Sequence, residues 1–279
     1  MVGLVALAAA LALMSEDVAG RLAFGKTVGI VEVRGVIQDP GETIDTLDRF
    51  RKQDGTVAVV LRVDSPGGAV APSQELYDAV WRVRERKPVI ASLGNVAASG
   101  GYYVASAASE IVADPGTVTG SIGVIMGVPQ YAALAQKLGV SQEVVKSGRF
   151  KDTGNPLRPL SAEERTLLQG MLDDVLAQFV DAVARGRKMD PAAVRRLADG
   201  RIFSGAQALK AGLIDQLGGL DLATRRAWEQ GGQTGEPRVS HVRAKRRYRL
   251  LELLGETLLA EGPPWTGGLL YLYQGALPE

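Results

Sequence analysis

The sequence predicts a largely parallel α/β domain. Short β-branched apolar runs recur along the chain, each followed by a turn and then by apolar residues at helical spacing. The central runs are apolar throughout instead of alternating, as in strands covered by helices on both faces. Length and composition agree: 279 residues, 46% hydrophobic and 23% charged, can build a substantial core and are unlike a disordered chain.

Residues 28–37 are apolar with alternation and read as a strand, and the polar stretch 45–53 reads as a helix. The β-branched run 57–63 is a buried strand that enters the turn Asp64-Ser65-Pro66-Gly67-Gly68. Over 72–86, Leu76, Val80 and Val83 fall at helical spacing, and Pro88 closes the helix. A strand over 89–93 precedes Ser99-Gly100-Gly101, which opens a helix over 102–108; short strands follow at 110–113 and 121–126. Ser161 begins a long helix reaching about residue 187, with Glu163 and Glu164 in its first turn where they suit the helix dipole. Asp190-Pro191 starts another helix, and 204–211 forms a third that ends at Gly212. No internal repeat of solenoid period is present. One α/β domain over 28–242 is expected. In such sheets ligands bind beyond the carboxyl ends of strands, where the Gly68 and Ser99 turns both fall.

Two flanking segments differ from this domain. Residues 1–22 form an apolar N-terminal segment, and Met1 to Met14 carry no polar or charged side chain. A membrane span needs about 20 such residues, and no basic start of a signal peptide is present. A truncated membrane anchor is the expectation; a short signal-like segment and a buried core helix stay open. Residues 243–279 form a basic and amphipathic tail, expected to be helical: Arg243, Lys245, Arg246, Arg247 and Arg249 precede a leucine face that includes Leu250, Leu254 and Leu258. A membrane-surface helix, a subunit contact and a helix packed on its own domain are all compatible with it.

The composition excludes several chemistries. With no cysteine there is no disulfide, thiol nucleophile or cysteine zinc site, and with His241 the only histidine there is no multi-histidine metal centre. A Ser-His-Asp triad would have to use His241, which lies in a short alternating stretch beside the basic cluster and reads as an ordinary strand or surface residue. The net charge of +1 makes no case for nucleic acid.

Ser99 stands at a strand-to-helix junction among Ala97, Ala98, Gly100 and Gly101. Small neighbours let a peptide backbone come close, and the helix start offers unpaired N–H groups to a developing oxyanion. A plain N-cap serine fits the same local pattern. The Gly67-Gly68 pair can present backbone N–H donors, or be no more than a tight turn. A serine nucleophile without histidine needs another base, and lysine is the natural substitute. Free lysine titrates near about 10.4, so such a lysine must be desolvated to lose its proton near neutrality. Lys151, between Phe150 and Asp152, reads by itself as an exposed loop residue.

The segments Val63-Asp64-Ser65-Pro66-Gly67-Gly68, Ala97 to Tyr103, Thr119-Gly120-Ser121-Ile122-Gly123-Val124-Ile125 and Ser147-Gly148-Arg149-Phe150-Lys151-Asp152 occur in that order. Together with Asp199-Gly200-Arg201-Ile202-Phe203-Ser204-Gly205 and Gly212-Leu213-Ile214-Asp215, the set strongly resembles the short, single-domain bacterial signal peptide peptidases of the SppA family. Leu270-Tyr271-Leu272-Tyr273 is similar too. The likeness covers about 28–227; the N-terminal segment is shorter than the family's anchor, and the tail matches loosely.

The resemblance implies a ClpP/crotonase-like fold of repeated strand-strand-helix units and a Ser-Lys peptidase with no cofactor or metal. Ser99 would be the nucleophile and Lys151 the general base. Gly68 would offer its N–H to the oxyanion, and Ser121 would orient the Lys151 amine. It further implies remnant signal peptides and other membrane-derived peptides as substrates, a ring-like homo-oligomer, and a membrane location with the catalytic domain extracytoplasmic. Two rivals stand beside it. A crotonase-type acyl-CoA enzyme would share the fold without needing the Ser-Lys pair, and a catalytically silent membrane scaffold would keep assembly without cleavage.

Overall fold

A computed structural model describes residues 25–241 and, for the backbone, 270–272. The N-terminal apolar segment and most of the tail lie outside the described residues. Of the tail, 270–272 form a strand and not a helix.

Strand β1 (Thr27–Ile37), helix α1 (Gly41–Lys52), strand β2 (Thr56–Ala69), helix α2 (Val70–Arg84), strand β3 (Val89–Ala98) and helix α3 (Gly100–Ser106) follow one another as three strand–helix units. Strands β4 (Glu110–Ala113) and β5 (Val118–Gly120), the short helix α4 (Ala132–Lys137) and the long helix α5 (Ala162–Arg187) come next. Helix α6 (Pro191–Arg195), strand β6 (Ile202–Ser204), helix α7 (Gly205–Lys210), strand β7 (Gln216–Leu217), helix α8 (Leu220–Gln230) and strands β8 (Val239–His241) and β9 (Leu270–Leu272) complete the described order.

The main sheet order is β6-β5-β3-β2-β1-β8. Strand β3 has two partners on one side: Ile90 to Leu93 pair with β4, and Val96 to Ala98 pair with β5. That fork carries the carboxyl end of β3 away from β4 and toward β5. The long strands pair in parallel, whereas β5–β6 and β2–β9 are antiparallel.

Helices cover both faces, which explains the unbroken apolar runs. On one face Leu47 and Phe50 of α1, Leu76 and Val80 of α2, Tyr102 of α3 and Phe179 of α5 pack on Val59, Leu61 and Val63. On the other, Ala223, Ala227 and Trp228 of α8 cover Val28, Ile30, Val60 and Ile90.

The Asp64-to-Gly68 segment is a correction to the turn read from its sequence. It continues β2, with Val36 opposite Gly67 and Ile37 opposite Gly68. The Ser65 hydroxyl donates to Gly35 O at 2.6 Å and accepts from Gly67 N–H at 3.1 Å, so a side chain replaces the ladder bond that Pro66 cannot make. A second correction concerns 121–126: the strand is Val118–Gly120 instead, and the chain leaves the sheet at Ser121, where φ is 51°.

Helix α5 has two different halves. Its C-terminal half buries Val175, Phe179, Val183 and Ala184, and its Gly186 touches α3 so closely that a Cβ would lie 2.0 Å from Ser106 O. Its N-terminal half leaves Leu167 and Met171 exposed and, with residues 123–160, forms an arm projecting from the core. Among the described residues no helix is long and apolar enough to cross a membrane.

Candidate active site

Ser99 ends the β3 excursion toward β5. Its N–H donates to Gly120 O at 2.8 Å, and its own carbonyl accepts from Tyr103 N–H at 2.8 Å, the first turn of α3. It occupies the N-cap position, yet its hydroxyl makes no capping bond. That separates it from a plain capping serine, whose side chain would be spent on the helix. Its φ of 52° and ψ of −119° are rarely adopted by L residues and cost on the order of 1–3 kcal/mol, a strain the surrounding sheet must hold. Ser99 is also 1% exposed, so this hydroxyl sits in a cramped, dry setting.

Glycines and a backbone amide lie close to Ser99. A Cβ on Gly100 would fall 2.7 Å from Ser73 Oγ and 3.1 Å from Gly68 N. The Gly68 amide thus lies against the first residue of α3. A Cβ on Gly68 would itself lie 2.1 Å from Ile37 O, so only glycine fits there. Ser121 follows Gly120, the β5 partner of Ala98, and is 8% exposed, with its N–H donating to Arg201 O at 2.8 Å. Ser99, Gly68 and Ser121 therefore gather at the carboxyl ends of β3, β2 and β5.

Lys151 is not among them. It is exposed, in a turn of the arm where its N–H donates to Gly148 O at 3.1 Å. Its amine makes no hydrogen bond with Ser99 or Ser121 within this chain, and the expectation that Ser121 holds the Lys151 amine is not met in one copy. The physical reason is the arm: residues 123–160 leave the sheet after Ser121 and take Lys151 with them. His241 stands exposed at the end of β8, paired with Ile30.

The turn bearing Lys151 is nonetheless firmly built. Arg158 donates to Asp152 Oδ2 at 3.1 Å, to Asp152 O at 3.1 Å, and to Glu164 at 2.5 and 2.8 Å. Lys146 Nζ lies 2.5 Å from Asp152 Oδ1. Hydrogen bonds from Arg158 and then Lys146 hold the Asp152 carboxyl at about 2. Arg158 and the Ser161 N–H hold Glu164 well below the usual carboxylate range. Glu164 also completes a capping box with Ser161 at the start of α5. The Ser-x-x-Glu spacing signals that cap in the sequence; nothing there pairs Arg158 with Asp152.

An open apolar groove of about 600 Å³ runs beside the segment leaving Ser121, lined by Met126, Val128, Leu160, Leu168 and Leu172 among others.

Residues 82–234 match the model of peptidase family S49. The chain belongs to peptidase family S49. The forked sheet is the ClpP-like α/β fold of the S49 peptidases. A Synechocystis protein named "Putative protease slr0021" is 48% identical over 161 residues, 58% of each chain. "Putative signal peptide peptidase SppA" of Enterococcus faecium is 36% identical over 219 residues, 74% of this chain and 64% of that protein. "Serine protease SPPA, chloroplastic" of Arabidopsis thaliana is 37% identical over 201 residues, 70% of this chain and 30% of that protein. The chain thus spans less than two thirds of the length of these relatives. S49 is a peptidase family, and the Arabidopsis relative is named a serine protease.

Proposed function

We propose that this chain is a serine endopeptidase in which Ser99 attacks the peptide carbonyl and Lys151 of a neighbouring copy serves as base. The observation that carries the reading is Ser99 itself: strained, buried, uncapped, and beside the Gly68 amide. The exposed position of Lys151 supports a base supplied across a subunit contact. So does the apolar surface of its arm, where Tyr131, Leu134, Leu138, Val140 and Val145 are exposed. Apolar surface on that scale calls for a cover, and a copy of the same chain in a ring-like homo-oligomer would give one. Burial at such a contact also supplies the desolvation a lysine base needs.

In the proposed reaction Lys151 takes the Ser99 hydroxyl proton as Oγ bonds to the carbonyl carbon. The oxyanion is met by the Gly68 N–H. The C–N bond breaks, the leaving amine takes the proton from Lys151, and an acyl-Ser99 ester remains. Water then attacks the ester, gives its proton to Lys151, and Ser99 recovers a proton as the acid departs. The edge of β2 supports extended peptides as substrates: residues 270–272 pair antiparallel with Gly67, Gly68 and Ala69, so this edge accepts an added strand beside the oxyanion donor. The apolar groove suits side chains of membrane-derived peptides, remnant signal peptides among them. A membrane location with the domain extracytoplasmic belongs to the same proposal.

Mixing tests it. Ser99→Ala and Lys151→Ala should each abolish cleavage of a peptide with Ala or Leu before the bond. Random reassembly of the two inactive chains should restore about a quarter of the sites, since each needs one intact donor from either chain. Substantial activity in either single variant removes that residue from the mechanism; no recovery on mixing, with assembly intact, removes the shared site. Failure of a fluorophosphonate to label Ser99 would favour the acyl-CoA rival.

A further inference from the structure

We propose that Arg158 is the positioning residue of the base: its guanidinium locks the Lys151 turn onto the start of α5 and keeps the Asp152 carboxylate from holding a proton on the Lys151 amine. The inference rests on the reading of Lys151 as base.

The geometry gives Arg158 two tasks. Its fork spans four acceptors: the Asp152 carboxylate, the Asp152 and Pro159 backbone carbonyls and the Glu164 carboxylate. The Asp152 carbonyl bond fixes the backbone one residue from Lys151, and Thr153 adds a hydroxyl bond to Glu164 Oε1 at 3.3 Å. Glu164 is 3% exposed and anchored by the capping box, so the turn is tied to the rigid end of a helix while Lys151 points free. A planar guanidinium suits this role: its five N–H donors reach out in fixed directions along a fork, whereas an ammonium offers three from a single point.

The second task is electrostatic. A carboxylate beside an amine favours the charged amine, the wrong form for a base. Asp152 is the next residue after Lys151, but both its oxygens are taken, one by Lys146 and one by Arg158. The other charges at this turn are Arg149 on the loop and Glu163 on α5, which pair with each other at 3.2 Å. Asp152, Glu163 and Glu164 are thus each matched to a cation other than Lys151. Removing Arg158 strips the cation from Asp152 Oδ2 while Lys146 stays on Oδ1, so part of the Asp152 charge is left unmatched next to Lys151 in the chain. A loop anchor with no part in catalysis would not need this neutralisation.

The test uses the full chain and the peptide assay across pH, with Lys151→Ala as reference. Arg158→Met should lower kcat by about tenfold to a hundredfold, as displacement by about 1 Å does, with KM nearly unchanged. The rising limb of kcat against pH should move to higher pH. Adding Asp152→Asn to Arg158→Met should return that limb toward its original position without restoring the full kcat. Arg158→Lys, which keeps the charge but not the fork, should leave the limb in place and lose part of kcat; it also serves if the Met variant folds poorly. The proposal is overturned if the limb stays put in Arg158→Met, or if it moves equally far in Arg158→Lys. Activity surviving in Lys151→Ala would instead sink the base reading beneath it, so the two failures are distinct.

Discussion

Replacing Gly68 by alanine tests the oxyanion donor through a clash whose size is known. The new Cβ would lie 2.1 Å from Ile37 O, 2.5 Å from Ile37 N and 2.7 Å from Ile37 C. All three atoms are backbone in the β1–β2 ladder, so no flexible side chain can yield. Reaching ordinary contact requires about 1 Å of relative movement between Gly68 and Ile37, which displaces the Gly68 amide from its place beside Gly100. Overpacking of this kind costs about 1–3 kcal/mol of stability. Shifting the amide by about 1 Å should cost about a hundredfold in kcat, close to the loss of about 2.7–4 kcal/mol seen when an oxyanion donor is removed. The assay is steady-state cleavage of the Ala- or Leu-containing peptide, with thermal melting on the same samples. Gly116→Ala is the control, since a Cβ there meets nothing within 4 Å. If Gly68→Ala stays folded and keeps kcat within about threefold of the parent, the Gly68 amide does not hold the oxyanion.

Further expectations follow from other parts of the molecule. The Asp152 and Glu164 carboxyls titrate lower folded than unfolded, so the stability they lend is complete above the unfolded carboxylate range and is lost as pH falls through about 4 toward 2. The melting-temperature advantage of the parent over Arg158→Met should therefore shrink between pH 6 and pH 3; a constant gap would contradict the sign. Phe179 is fully buried against Tyr103 at 4.9 Å between ring centroids, and Phe179→Ala should cost about 3–5 kcal/mol by melting or denaturant titration, whereas exposed Leu167→Ala should cost almost nothing. Equal losses would mean that the arm half of α5 is packed as tightly as the core half. Ending the chain after residue 269 frees the β2 edge at Gly67 to Ala69, so kcat/KM for peptides should rise; an unchanged value would show that the added strand does not compete with substrate.

Local chemistry determined much of this protein in advance. The apolar β-branched runs specified the buried strands, and Pro88 and the Ser161 cap specified helix ends, because periodicity and turn chemistry act over a few residues; Ser99, Gly68 and Ser121 were singled out by the resemblance of the ordered motifs to a known family. Three things were decided only by tertiary structure. Asp64 to Gly68 became strand and not turn, because the long β1 supplies a partner across the sheet and Ser65 fills the missing bond. Residues 270–272 joined that same edge from some two hundred positions away. Lys151 stands apart from Ser99, held by an Arg158 fork that no spacing reveals, because contacts between carboxylates and a guanidinium depend on where a loop folds back and not on the order of its residues.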